Sequence, residues 1–463
     1  MTADLVIANA TAVLPDGPTR ADIVVGGEHI IDIVDPGSGR AAEVVDASGR
    51  IVLPGGVDPH VHMLISFMGQ RSVYDFESGG IAALCGGTTT VVDFALQRRG
   101  RGIIEGLRHR RKQADPVVTL DYGLHQIVTD VNESSLAELR QLREEGVSTL
   151  KVYSVYEEDQ LKLEDGAFYA LMQGAAREDL MICLHAENAG IIDRSRAEAV
   201  RLGHTEPKYH ALTRPPITEV EAISRALLFA EDTGCPLHIL HLVAGKGVDL
   251  IEQARRKGQR VTAETCTHYL ALTDEAYERE NAQYYVMSPP LRSAENQEML
   301  WDGLRRGVLT AVTSDEVSYS AAAKSLGIAS FADIANGCPG VQARLPVLYT
   351  LGVAEGRLSL ERFTEVFSSW PARMFGVGDR KGQIRKGYDA DLVVIDPETS
   401  RVMDASSHYG NIGYTPFQGM DLVGWPVLTV YRGRVVVRDG KFLGKAGQGR
   451  FLHRNPTDMP EIE

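Results

Sequence analysis

The sequence predicts an α/β fold: a (β/α)8 TIM-like barrel with a small β-sandwich domain built from both chain ends. Three observations predict it. The central part alternates eight strand-like runs with helix-like ones. The two ends share another pattern, short β-branched runs broken by glycine-containing turns. The side chains best suited to chemistry fall at the ends of the central runs, where barrel proteins carry their functional sites.

The first fifty residues read as strands and turns. Leu5-Val6-Ile7, Ile23-Val24-Val25, Ile30-Ile31-Asp32-Ile33 and Val44-Val45 are separated by Asp16-Gly17, Gly26-Gly27 and Pro36-Gly37. Leu392-Val393-Val394-Ile395, Val427-Leu428-Thr429-Val430 and Val435-Val436-Val437 repeat the pattern near the other end. The expected organisation is therefore 1–50 as the first part of a small β domain, 51–378 as the barrel, and 379–463 as the second part with a C-terminal tail.

Strands are expected at 56–62, 89–94, 119–125, 149–152, 181–187, 237–242, 261–265 and 310–315. Amphipathic helices are expected at 103–113, 134–145, 167–178, 220–232, 248–257 and 297–306. An open doubly wound sheet is the alternative, but no Gly-x-Gly-x-x-Gly follows a strand.

With 463 residues, 44% hydrophobic and 24% charged, the chain has room for one large domain and a smaller one. A formal net charge of −14 argues against a nucleic-acid or anionic-membrane surface. Cys85, Cys183, Cys235, Cys266 and Cys338 are dispersed, with no Cys-x-x-Cys, as expected of reduced core thiols in a cytoplasm. The first residues show no basic-then-apolar leader, and no apolar run is long enough to cross a bilayer.

Asp58-Pro59-His60-Val61-His62 closes the first run. On extended backbone, His60 and His62 leave on one side and can grip one divalent metal. A lone His-x-His is more often an ordinary polar strand end. Lys151, His185, His241 and Asp315 then end the fourth, fifth, sixth and eighth runs. Four histidines with a lysine and an aspartate, all at the expected end, point to a metal site.

Together these motifs resemble the cyclic amidohydrolases, in particular the hydantoinase/dihydropyrimidinase branch, over essentially the whole chain. The resemblance rests on the segment from Pro54 to His62, Gly86-Gly87-Thr88-Thr89 and His185-Ala186-Glu187-Asn188. Tyr209-His210-Ala211, Arg214-Pro215-Pro216, Glu264-Thr265-Cys266 and His268-Tyr269-Leu270 extend it. So do Ser288-Pro289-Pro290-Leu291-Arg292, Asn336-Gly337, Pro339-Gly340-Val341 and the ending from Gly447 to Arg454.

The resemblance implies a hydrolase that opens a cyclic amide with two divalent ions, Zn2+ by family habit. Lys151 would be carboxylated on Nζ and bridge them, because a lysine amine with a pKa near 10.4 is cationic and cannot ligate. His60, His62, Lys151 and Asp315 would hold one ion; Lys151, His185 and His241 the other. A shared water, its pKa lowered toward ~7, would attack the ring carbonyl. Asp315 would move the proton and Tyr156 would stabilise the oxyanion. The resemblance gives Ser288 and Asn336 the substrate's amide edge; a turn-forming Ser before Pro289 and an Asn before Gly337 read equally well as plain structure. Leu64 and Phe67, with Met63, Ile65, Met68, Tyr153 and Val155, would offer an apolar lining for a substituent.

Three positions depart from the family pattern: Glu316 stands where His is usual, Val243 where Ser is, and Gln342 where Glu is. Glu316 would either alter the charge around Asp315 or point to solvent. Met63-Leu64-Ile65 offers no anion clamp of the dihydroorotase kind. The expected substrate is thus a hydantoin, with an apolar or aromatic 5-substituent, or a dihydropyrimidine, opened to an N-carbamoyl amino acid. An allantoinase-type hydrolase, a mononuclear deaminase on the same barrel and a non-catalytic relative are the rival readings. Family habit also implies a homotetramer or homodimer, to which the tail from Arg432 to Arg454 could contribute.

Overall fold

The computed structural model describes residues 3–461. Eight parallel strands follow the order of the chain: β1 (Gly56–Asp58), β2 (Thr88–Leu96), β3 (Asp121–Ile127), β4 (Thr149–Tyr153), β5 (Met181–His185), β6 (Leu237–Ile239), β7 (Val261–Cys266) and β8 (Leu309–Thr313). Each overlaps one of the expected runs. The ring closes just beyond the hydrogen-bonded strands, by a parallel bridge between Val61 and Glu316 in which the His62 amide donates to the Glu316 carbonyl. Val61 stands between His60 and His62, and Glu316 follows Asp315, so closing the barrel also brings the two histidines to Asp315.

The helices wrap the barrel. Ile103–Ala114, Asp165–Arg177, Ile217–Thr233, Lys246–Arg256 and Ala294–Arg305 match expected segments. The expected helix at 134–145 is two short pieces, Glu133–Ala137 and Leu139–Glu144, each with its own start. Phe76–Cys85 is a further helix that periodicity does not flag. Eight of its ten residues are buried, so it has no polar face to set a rhythm.

The two chain ends build one nine-stranded mixed sheet. Leu392–Asp396 pairs antiparallel with Ile51–Pro54 on one side and with Trp425–Tyr431 on the other, which stitches the ends together. The sheet folds over a shared core in which Leu5, Ile7 and Ile23 meet Leu392, Val394 and Val430. Ile51–Pro54, immediately before β1, thus belongs to this sheet by hydrogen bonding. Lys381, buried, ties the region to the barrel through Asp121 at 2.6 Å and Asp391 at 2.6 Å.

The tail returns to the barrel. The Tyr122 amide on β3 donates to the Arg450 carbonyl, and the Leu452 amide donates to that of Tyr122. Arg454 is buried at the end of the barrel opposite the strand C-termini and donates to the Thr149 hydroxyl at 2.8 Å. Its last stretch, offered above to an oligomer interface, is used within the chain. All five cysteines are free and buried. Among the described residues, no helix is long and apolar enough to cross a membrane.

Candidate metal centre and active-site cavity

A cavity of about 520 Å3 opens at the C-terminal rim of the barrel. Eleven of the residues singled out in the sequence line it: His60, His62, Leu64, Phe67, Lys151, Tyr156, His185, His241, Ser288, Asp315 and Asn336. Ile65, Met68 and Tyr153 line it as expected. Met63 and Val155 do not. Met63 is 1% exposed and packs under Gly79 of the buried helix, and Val155 packs with Ala189 and Ile192.

His60, His62 and Asp315 form one cluster. The Nε2 atoms of His60 and His62 lie 3.1 and 3.3 Å from the same carboxylate oxygen, Asp315 Oδ1. His60 Nδ1 meets Glu264 Oε1 at 2.5 Å, which fixes the ring with Nε2 toward the cavity. Glu264 is itself held by His238 Nε2 at 3.1 Å and by the Thr313 hydroxyl at 3.2 Å. The second group is His185 and His241, with ring centroids 4.4 Å apart. His185 Nε2 meets Glu187 Oε2 at 2.7 Å, and Arg214 donates to that same oxygen at 2.7 Å. Lys151 is 1% exposed and reaches into the same space, with Nζ 4.5 Å from the Tyr153 ring centroid.

Electrostatics follow from burial and these pairings. Burial alone would depress His60, but Asp315 and Glu264 override it and hold the ring at about 9. Burial takes His185 down to about 4 against the pull of Glu187. Burial, with His185 and Lys151 nearby, pushes His241 well below its ordinary range. It also lowers Lys151 to about 8. Tyr156 is raised to about 12, mainly by burial, and its hydroxyl lies beside Ser288 and Asn336. The Asn336 amide donates to the Ser288 hydroxyl at 3.0 Å.

The donor set fits divalent metal. Two imidazole nitrogens converge on one carboxylate oxygen, and His241 Nδ1 is buried with no hydrogen-bond partner. Strain gathers here too: Leu64 (φ 51°), Tyr156 (φ 68°), His241 (φ 37°) and Asp315 (φ 44°) all adopt left-handed backbone.

Glu316 does not point to solvent. It is 1% exposed, and its Oε2 accepts the amides of Gly340 at 2.7 Å and Val341 at 2.9 Å. Burial raises it to about 7 in spite of those donors. Val243 is buried, its amide donating to Glu219, and Gln342 ties down the 407–409 segment through Ser407 and Tyr409. Neither lines the cavity. Sequence reasoning gave no role to Glu264, Glu187 or Arg214. The available signals were a carboxylate two residues after His185 and another inside the mostly uncharged β7.

Fold and site together define a class: barrel enzymes that do hydrolytic chemistry at the strand ends with side chains suited to hold metal. Amidohydrolase family sequences match residues 51–436. A D-hydantoinase of Geobacillus stearothermophilus is 39% identical over 452 residues, 97% of this chain and 96% of its own. A D-phenylhydantoinase of Escherichia coli O1:K1 / APEC is 37% identical over 462 residues, 99% of this chain and 100% of its own. The crystal structure of a dihydropyrimidinase from Brevibacillus agri NCHU1002 superposes with a TM-score of 0.96 at 36% identity, covering 98% of this chain and 99% of that one. The chain belongs to the amidohydrolase family, in its hydantoinase/dihydropyrimidinase branch.

Proposed function

We propose that this enzyme opens the ring of a hydantoin with an apolar or aromatic 5-substituent, or of a dihydropyrimidine, to give an N-carbamoyl amino acid. One observation carries the reading: four histidines, Lys151 and Asp315, from five strand ends, meet over one cavity beside apolar Leu64 and Phe67. The naming of the relatives as hydantoinases and a dihydropyrimidinase supports the ring class.

His60, His62 and Asp315 would hold one divalent ion, His185 and His241 a second, and Lys151, carboxylated on Nζ, would serve both. Zinc suits this nitrogen-rich set. Burial supports the modification, since a lysine lowered to about 8 is more often the neutral amine that adds to carbon dioxide. Bound there, the ions would polarise the ring carbonyl and acidify the attacking water. Asp315 Oδ accepts that water's proton and returns it to the ring nitrogen as the amide bond breaks. The Tyr156 hydroxyl donates to the carbonyl oxygen as its charge develops. Ser288 and Asn336 hold the amide edge of the ring, and Leu64 and Phe67 receive the substituent. Arg214 and Glu187 hold His185 in orientation, as Glu264 holds His60.

The assembly is a homotetramer or homodimer working in a cytoplasm, a location supported by the five free thiols. Steady-state rates on hydantoin, 5-phenylhydantoin, dihydrouracil, allantoin and dihydroorotate test the assignment. The first three are turned over best; preference for allantoin or dihydroorotate overturns it, and no turnover of any favours a non-catalytic relative.

A further inference from the structure

Behind the Ser288–Asn336 edge of the cavity lies a buried lysine amine with no carboxylate partner among the described residues. Lys324, on the short helix Ala321–Leu326, is fully buried. Its Nζ donates to the Val286 carbonyl at 2.7 Å and to the Ala335 carbonyl at 2.6 Å. Those carbonyls belong to two different segments. Val286 is two residues before Ser288, and Ala335 is the residue before Asn336. The Gly337 amide also donates to the Val286 carbonyl at 3.1 Å, and Asn336 donates to the Ser288 hydroxyl. Lys324 does not itself line the cavity.

We propose that Lys324 is a positioning residue: it pins the 286–288 segment to the 335–337 segment and so fixes the edge of the cavity that grips the substrate's amide. The proposal rests on the reading of Ser288 and Asn336 as substrate contacts. Two buried carbonyls facing one amine suit a lysine here: an apolar side chain would leave the Ala335 carbonyl without its partner and the Val286 carbonyl with the Gly337 amide alone. Burial brings Lys324 to about 7, and a neutral amine still has two N–H groups for two acceptors.

Kinetics of the holoenzyme on the best hydantoin test it. K324M keeps the length and removes both donors. Its KM rises about tenfold while kcat changes far less, because uniform binding is lost rather than an interaction made only in the transition state. N336A raises KM similarly, and K324M/N336A is less than additive, since both act on one contact. A purely structural lysine would lower the melting temperature and leave KM alone. That result, or full additivity with N336A, overturns the proposal. Should K324M fail to fold, K324Q, which keeps one donor arm, gives the same readout. If N336A and S288A both leave KM unchanged, the assignment of the amide edge fails, and the proposal falls with it. If they raise KM and K324M does not, only the role of Lys324 fails.

Discussion

The barrel holds two sets of buried histidines, and they differ in what their ring nitrogens touch. In the interior, His125 meets the Pro59 carbonyl with Nε2 at 2.8 Å and the Thr149 hydroxyl with Nδ1 at 2.8 Å. His238 likewise uses both nitrogens, on Thr262 and Glu264. At the rim, His241 Nδ1 is buried without a hydrogen bond, and His60 and His62 turn their Nε2 atoms to one shared carboxylate oxygen, Asp315 Oδ1. Residue type and burial are the same in both sets. The interior rings satisfy themselves; the rim rings leave capacity aimed into the cavity. His268 and His408 also carry unpartnered nitrogens, yet neither lines the cavity. A ligand is therefore recognised by unused bonding capacity and by place together.

The sharpest way to break this comparison is a pair of substitutions. His241→Ala should strip metal and cut turnover by more than the about 10–100-fold that loss of a ligand's supporting partner costs. Metal analysis and kcat read it. His125→Gln should keep metal and most activity but cost about 1–3 kcal/mol of stability, since it disturbs a buried acceptor, the Pro59 carbonyl, and a buried donor, the Thr149 hydroxyl. Equal metal loss in both variants would erase the distinction between rim and interior.

Much of this geometry is legible in the sequence because strands impose a period of two. His60 and His62 share a side, and the ends of β4, β5 and the segments after β6 and β8 deliver Lys151, His185, His241 and Asp315 to one rim. What escapes is whatever depends on packing between distant segments. Nothing local says that Glu264 on β7 meets His60, 204 positions away in sequence. Nor does the chain announce that Met63 turns under a helix while its neighbour Leu64 faces the cavity. The Phe76–Cys85 helix hides for the same reason: buried nearly all round, it lacks the alternation that periodicity reads.

Tyr156 sharpens the comparison from the other side, because it serves the rim without ligating. Its ring stands edge-on to His185 at 5.3 Å and to Phe67 at 5.3 Å. Tyr156→Phe should keep the packing and the metal yet lower kcat by about 10²–10³, the usual loss for one oxyanion donor. A variant with near-normal kcat would reduce Tyr156 to a packing residue.

His408 tests the edge of the rule, with the smallest effect. It is buried, both ring nitrogens lack partners, and it lies outside the cavity. Burial lowers it from 6.5 to about 4. His210, at about 3, and His268, at about 4, are depressed by the same cause. Between about pH 6.5 and 4 the unfolded chain thus holds protons that the folded chain refuses. Stability from these groups is complete above about 6.5 and falls as the pH drops toward 4. His408→Gln should leave turnover unchanged and flatten the acid limb of the stability curve by about 1.4 kcal/mol per pH unit, the share of one proton. Denaturant unfolding at several pH values measures it. An unchanged slope would mean that His408 already finds a partner for its charge, and that an unpartnered nitrogen away from the rim carries no titration penalty of its own.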